Sequence, residues 1–338
     1  MHEPDFWHRY NAAASRLLRP ASLLYGALAA RRMTRTGADV GIPVLCVGNY
    51  HMGGAGKTPT VLALVRVLRE LREQPVVVSR GYGGRLRGPV PVHALRHSAA
   101  DVGDEPMMMA ASVPVIVSRD RVAGAAMACE NGASLVVLDD GFQNPALRKH
   151  ASLIVIDSMR GIGNGEVFPA GPLRAPLAMQ LERTDALVVV GDGHAADQIA
   201  GWMAARNRPV FRARFQPDRS ALNNLRRRRV LAFAGIGDPS RFFETLRSSG
   251  VEVADARSFP DHYPFTARDI EGLMDAAKRQ GLTLVTTEKD MARLRTDPRL
   301  PVGSGDIASF GVALRFDNEK AFGSFVAQRL EAARKTMS

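Results

Sequence analysis

The chain has 338 residues, which is too long for one ordinary domain and suits two. Apolar residues make up 46% and charged residues 23%, and this composition excludes an intrinsically disordered chain. Two cysteines, Cys46 and Cys129, are too few for a disulfide framework or a cysteine-based metal site, so we expect a reducing cytosol. The net charge of +11 attracts anions, but nucleotides, nucleic acids and acidic lipids fit it equally well, as does a genomic bias toward arginine.

The first segment, residues 1–35, is predicted to be an amphipathic helix at a membrane interface. Its apolar run of ten residues, 21–30, has arginines on both sides and is too short to cross a bilayer, which needs about 20 residues. Leu17, Leu24 and Leu28 recur at helical spacing, which suits a helix lying on an anionic membrane surface. The arginines that follow the run argue against a signal peptide. A helix packed on the protein core explains the same periodicity equally well.

From residue 43 onward, apolar β-branched runs alternate with helical stretches, a pattern typical of a parallel sheet that is covered on both faces. We therefore predict an α/β fold of the P-loop NTPase type for a kinase core domain at 36–215. The run at 209–215 alternates apolar and basic residues, as an edge or linking strand would.

A second, smaller α/β domain is predicted for residues 216–338. The polar and then basic tract at 216–229 marks its boundary with the first domain. The series that follows includes a strand at 307–314 and ends in a C-terminal helix at 318–335.

Residues 48–58, GNYHMGGAGKT, form a predicted phosphate-binding loop between a strand and a helix. Glycines let the backbone N–H groups wrap the phosphates at the helix N-terminus. Lys57 is expected to reach the β- and γ-phosphates, and the Thr58 hydroxyl is expected to hold Mg²⁺. The general pattern places glycine where this chain has His51. The predicted nucleotide contacts are His51, Met52, Gly53, Gly54, Ala55, Gly56, Lys57 and Thr58.

An acidic pair, Asp139 and Asp140, follows the apolar run SLVVL. In phosphate-loop enzymes a carboxylate at this position holds Mg²⁺ or one of its waters, because the metal neutralises charge between the transferred phosphates. Acidic residues at strand ends also form solvated turns or helix caps. The upstream Lys57 favours the metal site.

Three further segments carry candidate functional residues. SRGYGG at 79–84 places Arg80 and Tyr82 at the edge of the sheet where substrates of α/β proteins bind, and Asn49 in the phosphate loop is a third candidate substrate contact. VGDEP at 102–106 places Asp104 just before a helix, where a carboxylate acts either as a helix cap or as a general base. FPDHYPF at 259–265 isolates His262 in a rigid loop, where a packed, surface or catalytic role is open.

Taken in order, seven motifs resemble the tetraacyldisaccharide 4′-kinase family of lipid A biosynthesis; they are VGNYHMGGAGKTP, VVSRGYGG, VGDEP, LDDGFQ, PAGPLR, FPDHYPF and TTEKD. The resemblance spans residues 43–290. It implies a peripheral enzyme on the cytoplasmic face of the bacterial inner membrane. Its reaction would be the phosphorylation, by ATP and Mg²⁺, of the 4′-hydroxyl of a tetraacylated glucosamine disaccharide 1-phosphate. The partners would be this anionic glycolipid and the membrane surface, with no nucleic acid and no obligate protein.

The resemblance also implies residue roles. Lys57 and Thr58 would belong to the ATP and metal site, and Asp139 and Asp140 would lie beside the metal. Asp104 would act as general base toward the sugar hydroxyl, paired with His262. Since these two residues lie in different predicted domains, we expect domain closure to complete the site and exclude water. One residue departs from the family, which usually has glutamate where this chain has Ala175, so no role of that acid carries over.

Other functions remain open at this point. A membrane-associated partition- or maturation-type P-loop NTPase switch shares the glycine pair before GKT. A GTPase fits less well because TEKD at 287–290 has the wrong spacing for base recognition. Nucleic-acid binding through the arginines at 226–229 rests on one charge run without aromatic residues, which a solvated linker explains better.

Overall fold

The computed structural model describes residues 4–297, 299–300, 302–303 and 305–337. The outer limits of the predicted segments, residues 1 and 338, lie outside this range. A 3₁₀ helix at Asp5–His8 precedes the first α-helix, α1, at Ala13–Met33.

A nine-stranded sheet forms the larger part of the molecule, in the order β13-β8-β7-β6-β1-β5-β2-β4-β3. Its seven inner strands are parallel, whereas the two edge strands, β3 and β13, are antiparallel to their neighbours. The elements up to the first crossing between domains are β1 Val44–Gly48, α2 Lys57–Glu70, β2 Pro75–Ser79, β3 Val90–Pro91, α3 Ala99–Val102, α4 Asp104–Ala110, β4 Val115–Val117, α5 Arg121–Glu130, β5 Leu135–Asp139, β6 Ala151–Asp157, α6 Leu177–Glu182, β7 Ala186–Val190, α7 Asp197–Ala204 and β8 Val210–Pro217.

The inner strands other than β8 are buried on both faces, as their apolar β-branched sequences predict. Alternate residues of each strand enter two separate apolar clusters, one on each face of the sheet. Because all inner strands run the same way, their carboxyl ends meet at one edge, and the phosphate loop and the acidic pair lie there.

A second sheet of four parallel strands has the order β10-β9-β11-β12. Apolar clusters again cover both of its faces. Its elements are α8 Arg219–Leu225, β9 Arg229–Ala234, α9 Pro239–Ser248, β10 Glu252–Ser258, α10 Ala267–Gln280, β11 Thr283–Thr287, α11 Glu288–Thr296 and β12 Ile307–Phe310.

The C-terminal part of the chain returns to the large sheet. The strand predicted at 307–314 is wrong, because Gly311 separates β12 from a new strand, β13 Val312–Phe316, which pairs with β8. The final helix, α12 Glu319–Lys335, packs on β13 and α2. Residues 209–215 were predicted as an edge or linking strand, and the edge alternative is wrong, since β8 has a neighbour on both sides. We therefore propose a small domain that ends near Phe310 instead of at residue 338.

Two crossings connect the domains, and they lie side by side. The backbone N–H of Asp218 donates to the carbonyl oxygen of Gly311 at 2.9 Å. A salt bridge joins Arg241 of the small domain to Asp157 at the end of β6, with 2.5 Å between Nη1 and Oδ2. The position of the second sheet over the first is thus fixed by the paired crossings and by side-chain contacts.

Helix α1 lies on the large domain with an unusual distribution of side chains. Apart from Met33 at its end, its buried residues are the small Ser15, Ser22 and Gly26. Leu17, Leu23, Leu24 and Leu28 are 55% to 81% exposed. The helix therefore packs on the protein, as one interpretation of the sequence expected, and still presents leucines to its surroundings; its membrane role stays a prediction. Within the described residues, no helix is long and apolar enough to cross a membrane.

Candidate active site

The phosphate loop lies between β1 and the N-terminus of α2, as predicted. Gly56 precedes the helix with a φ of 88°, a left-handed conformation that residues other than glycine adopt at a cost. Lys57 and Thr58 occupy the first helical turn, where the backbone N–H groups are available to a phosphate. Asn49 is fully buried, and its side-chain amide donates to the carbonyl of Gly53 at 3.2 Å. Asn49 thus supports the loop from within.

Residues 169–174, PAGPLR, lie along the first half of the phosphate loop. The N–H of Met52 donates to Pro172 at 2.8 Å, and the N–H of Arg174 donates to Tyr50 at 2.9 Å. His51, between Tyr50 and Met52, forms an antiparallel bridge with Leu173. The residue that departs from the general glycine pattern therefore lies in a short β-ladder, where a side chain is acceptable and a glycine would weaken the pairing.

The two members of the acidic pair have different surroundings. Asp140 adopts a φ of 52° and is half-buried; its Oδ1 lies 2.7 Å from Arg174 Nη1 and 3.9 Å from Lys57 Nζ. Burial raises the pKa of Asp140, but the charges of Lys57 and Arg174 outweigh this effect and leave the pKa below its ordinary value. Asp140 is therefore ionised and directed at the cations of the site.

Asp139 is buried at the end of β5. Burial, assisted by the charges of Glu105 and Asp140, raises the pKa of Asp139 to about 7. Its Oδ2 accepts a hydrogen bond from Ser79 at 2.9 Å, whereas its Oδ1 is buried and has no hydrogen-bond partner within the described part of the chain. A buried carboxylate oxygen without a partner is costly unless a cation binds it.

Arg121 stabilises the backbone at this edge of the sheet. It is buried at the start of α5, and its guanidinium donates to the carbonyl oxygens of Val78 and Asp139 at 3.1 and 3.0 Å. These bonds join the carboxyl ends of β2 and β5 and hold the backbone from which Asp139 projects.

Asp104 is the first residue of α4. Gly103 before it has a φ of 93°, and a Cβ there would lie 2.5 Å from the carbonyl oxygen of Tyr82. Glycine therefore allows the SRGYGG loop to pass directly over the start of the helix. Arg80 and Tyr82 are both exposed, Tyr82 to 74%. Both side chains are thus accessible from solvent.

The small domain supplies the partners of Asp104. Asp104 Oδ2 lies 2.7 Å from His262 Nδ1 and 2.8 Å from Arg293 Nη2. Burial raises the pKa of Asp104, but the hydrogen bonds and charges of His262 and Arg293 outweigh this effect and lower the pKa to about 2. Asp104 is therefore an anion at neutral pH, and it is held by groups from across the interface between the domains.

The loop that carries His262 is rigid. Phe259, Tyr263 and Phe265 pack against one another and against Phe233. The N–H of His262 donates to Gly235 at 3.1 Å, and the residue has a φ of 58°. A residue other than glycine in this conformation is strained, and such strain is common at functional sites.

Arg293 is fixed by the TTEKD motif. Thr287 caps α11, and the buried Asp290 accepts the N–H of Gly235 at 2.9 Å and a bond from Arg293 Nη1 at 2.8 Å. Lys289 Nζ lies 3.4 Å from His262 Nε2. The motif therefore orients both small-domain partners of Asp104.

The structure thus brings Lys57 and Asp140 together in one group and Asp104 and His262 in another. Two functional residues, Arg174 and Arg293, were not predicted. Arg174 ends the quoted motif PAGPLR, and Arg293 lies three residues after Asp290, a spacing that places both on one helix face. Glu166 is bound by Arg19 of α1 at 2.8 Å, and the side chain of Ala175 is fully buried among apolar residues.

The sheet and the loop place the chain in the phosphate-loop class of α/β enzymes. The family model described as tetraacyldisaccharide-1-P 4′-kinase matches residues 14–331. The chain belongs to the tetraacyldisaccharide 4′-kinase family, and it is a kinase.

Relatives and a solved structure agree with this assignment. The chain is 61% identical to the tetraacyldisaccharide 4′-kinase of Rhodopseudomonas palustris strain BisB5, over 99% of this chain and 98% of the relative. It is also 61% identical to that of Nitrobacter hamburgensis, over 99% of this chain and all of the relative. The crystal structure of LpxK from Aquifex aeolicus in complex with ATP superimposes with a TM-score of 0.73 at 25% identity, and covers 94% of this chain and 99% of that one. The resemblance found in the motifs is thereby confirmed.

Proposed function

We propose that the chain transfers the terminal phosphoryl group of ATP to the 4′-hydroxyl of a tetraacylated glucosamine disaccharide 1-phosphate, giving the 1,4′-bisphosphate. The observation that carries this proposal is the bond between Asp104 and His262, because it places an ionised carboxylate, oriented from a second domain, at the sheet edge that holds the phosphate loop. A partition- or maturation-type switch has no use for such a pair.

ATP would lie on the phosphate loop, with Lys57 at the β- and γ-phosphates. Within the described residues no three His, Cys, Asp or Glu side chains form a metal cluster by themselves. Mg²⁺ at nucleotide sites usually takes only one or two carboxylates together with phosphate oxygens and water. Thr58 and the unpartnered Oδ1 of Asp139 fit that requirement. When bound, the metal would neutralise charge on the transferred phosphoryl group.

Asp104 would act on the sugar hydroxyl. Both of its hydrogen bonds from the small domain go to Oδ2, so Oδ1 is the oxygen that would accept the proton of the 4′-hydroxyl. A carboxylate with a pKa of about 2 is a weak base, but phosphoryl transfer depends mainly on positioning and develops charge on the nucleophile late. Orientation of the hydroxyl is therefore the main contribution of Asp104. Arg80 and Tyr82 are proposed to contact the glycolipid.

The direct test is an assay with purified protein, ATP, Mg²⁺ and the disaccharide 1-phosphate in detergent micelles. We expect a bisphosphorylated lipid and a stoichiometric amount of ADP. The same acceptor that already carries a 4′-phosphate serves as control and should yield neither. Binding of ATP without formation of the bisphosphate would overturn the proposal.

We further propose that the enzyme is peripheral to the cytoplasmic face of the inner membrane, through α1. The leucines of α1 point away from the protein, and arginines flank them, which suits an anionic lipid surface. The substrate, with four acyl chains, would be reached from that surface.

The double substitution Leu24→Ser and Leu28→Ser is expected to lower the partition coefficient onto anionic vesicles by about tenfold or more, since each leucine loses its apolar transfer energy. Vesicle co-sedimentation measures this. Leu95→Ser is a matched control, because Leu95 is fully exposed but lies outside α1. Equal binding of the double variant and the wild type would contradict a membrane role for α1.

A further inference from the structure

We propose that Ser22 and Asn164 are positioning residues for the nucleotide site. Through them, the N-terminal helix holds residues 169–174, and this segment in turn holds the phosphate loop and Arg174. The inference rests only on the ATP-binding part of the proposed function and is independent of the lipid acceptor.

The first set of contacts joins α1 to the segment. Ser22 Oγ accepts the N–H of Ala170 at 2.9 Å in a buried position. A Cβ on Gly26 would lie 3.5 Å from Pro176, so the helix passes close to the end of the segment. The small residues on the buried side of α1 therefore allow the helix to pack closely against residues 169–176.

Asn164 connects three parts of the chain at once. Its Nδ2 donates to Ser15 Oγ of α1 at 3.1 Å and to the carbonyl of Ala170 at 3.0 Å, and its backbone N–H donates to Trp7 at 2.7 Å. Trp7 is buried, and its indole N–H donates to the carbonyl of Pro169 at 3.1 Å. Removal of the Asn164 side chain would leave Ala170 and Ser15 without these bonds.

The last set of contacts reaches the nucleotide site. Residues 172–174 pair with the first half of the phosphate loop, and Arg174 also donates from Nε to the carbonyl of His51 at 3.1 Å. The same guanidinium binds Asp140, which faces Lys57. Only the six residues 169–174 therefore separate the surface of α1 from Arg174, Asp140 and Lys57 at the nucleotide site.

This continuity has an energetic consequence. Any interaction that favours the docked position of α1 also favours the ATP-binding arrangement of Arg174, and by linkage ATP favours the docked helix to the same degree. The helix that carries the exposed leucines is thus a structural part of the nucleotide site.

A double-mutant cycle tests the proposal, with the dissociation constant of ATP and Mg²⁺ measured by calorimetry in detergent without any lipid acceptor. Asn164→Ala is expected to weaken ATP binding by about tenfold, which corresponds to about 1.4 kcal/mol. The same substitution in an Arg174→Ala background is expected to cost about threefold, because the part of the effect that passes through the Arg174 side chain is then absent and the part that passes through the phosphate loop remains. If Asn164→Ala does not fold, Ser22→Ala replaces it in the same cycle.

Arg19→Ala is the matched control. It removes the exposed salt bridge to Glu166, which joins the same two parts of the chain but contributes little to docking because water screens it, so ATP affinity should change by less than about twofold. Additive effects of Asn164→Ala and Arg174→Ala, or unchanged ATP affinity in both Asn164→Ala and Ser22→Ala, would refute the positioning role. A chain that showed the coupling but phosphorylated no lipid would refute the proposed acceptor and leave this inference standing.

Discussion

Replacement of Asp104 by alanine is expected to lower kcat by about a hundredfold or more, because the carboxylate would orient the 4′-hydroxyl, while the dissociation constant of ATP changes by less than about threefold. In the proposed complex the carboxylate would face the sugar hydroxyl, and within the described residues it has no hydrogen bond to the phosphate loop. Arg293 keeps Asp290 and the carbonyl of Gly235 as partners, so the substitution leaves no buried cation unpaired. Single-turnover kinetics together with ATP titration separate the two quantities.

Asp101→Ala is a suitable control for Asp104→Ala. Asp101 lies one turn earlier, caps α3 and pairs with the exposed Arg85 of its own domain. Its removal should cost some stability and leave kcat within about twofold, because surface ion pairs and caps act on folding alone. A loss of ATP affinity in Asp104→Ala as large as the loss of kcat would show that Asp104 serves the nucleotide instead of the hydroxyl.

Replacement of Lys57 by alanine is expected to lower both ATP affinity and kcat, the latter by about a hundredfold to a thousandfold, as removal of one preorganised electrostatic contact typically does. Lys57 is mostly buried and opens α2, so its charge acts on the phosphates in a site with little water. Asp140 retains its bond to Arg174, and the fold should therefore persist.

Arg66→Ala controls for the Lys57 substitution. Arg66 lies on the same helix but pairs with Glu319 of α12 at 2.8 Å, so kcat and ATP affinity should stay at the wild-type values. If Lys57→Ala lowered kcat without any change in ATP affinity, Lys57 would act on the transition state alone.

Each half of the site is built by its own domain. The large domain carries Lys57, Asp140 and Arg174. The small domain carries His262 and Arg293, and both bind the carboxylate of Asp104. Because the two crossings between the domains lie side by side, a small rotation about them would separate His262 from Asp104. We propose that such a rotation admits the glycolipid.

Several elements could be predicted from local sequence. The strand, glycine loop and helix around Lys57 follow from hydrophobic periodicity and from the conformational freedom of Gly56. The capping pattern from Thr287 to Asp290 is also a local signal for the start of α11, a helix absent from the predicted elements. Such features depend on residues only a few positions apart, where spacing alone fixes the geometry.

Other features required the tertiary structure. The sequence places an ionised group at Asp104 and a histidine in a rigid loop at His262, but their separation by 158 positions leaves their contact undetermined until the two sheets are packed together. The return of β13 to the large sheet likewise depends on pairing with β8, which residue propensities do not encode. The sequence alone determined the phosphate loop, the acidic pair and the family. Long-range packing decided that Asp139 is buried, that Arg174 and Arg293 join the site, and that α1 turns its leucines outward, since burial and charge pairing are properties of neighbours in space.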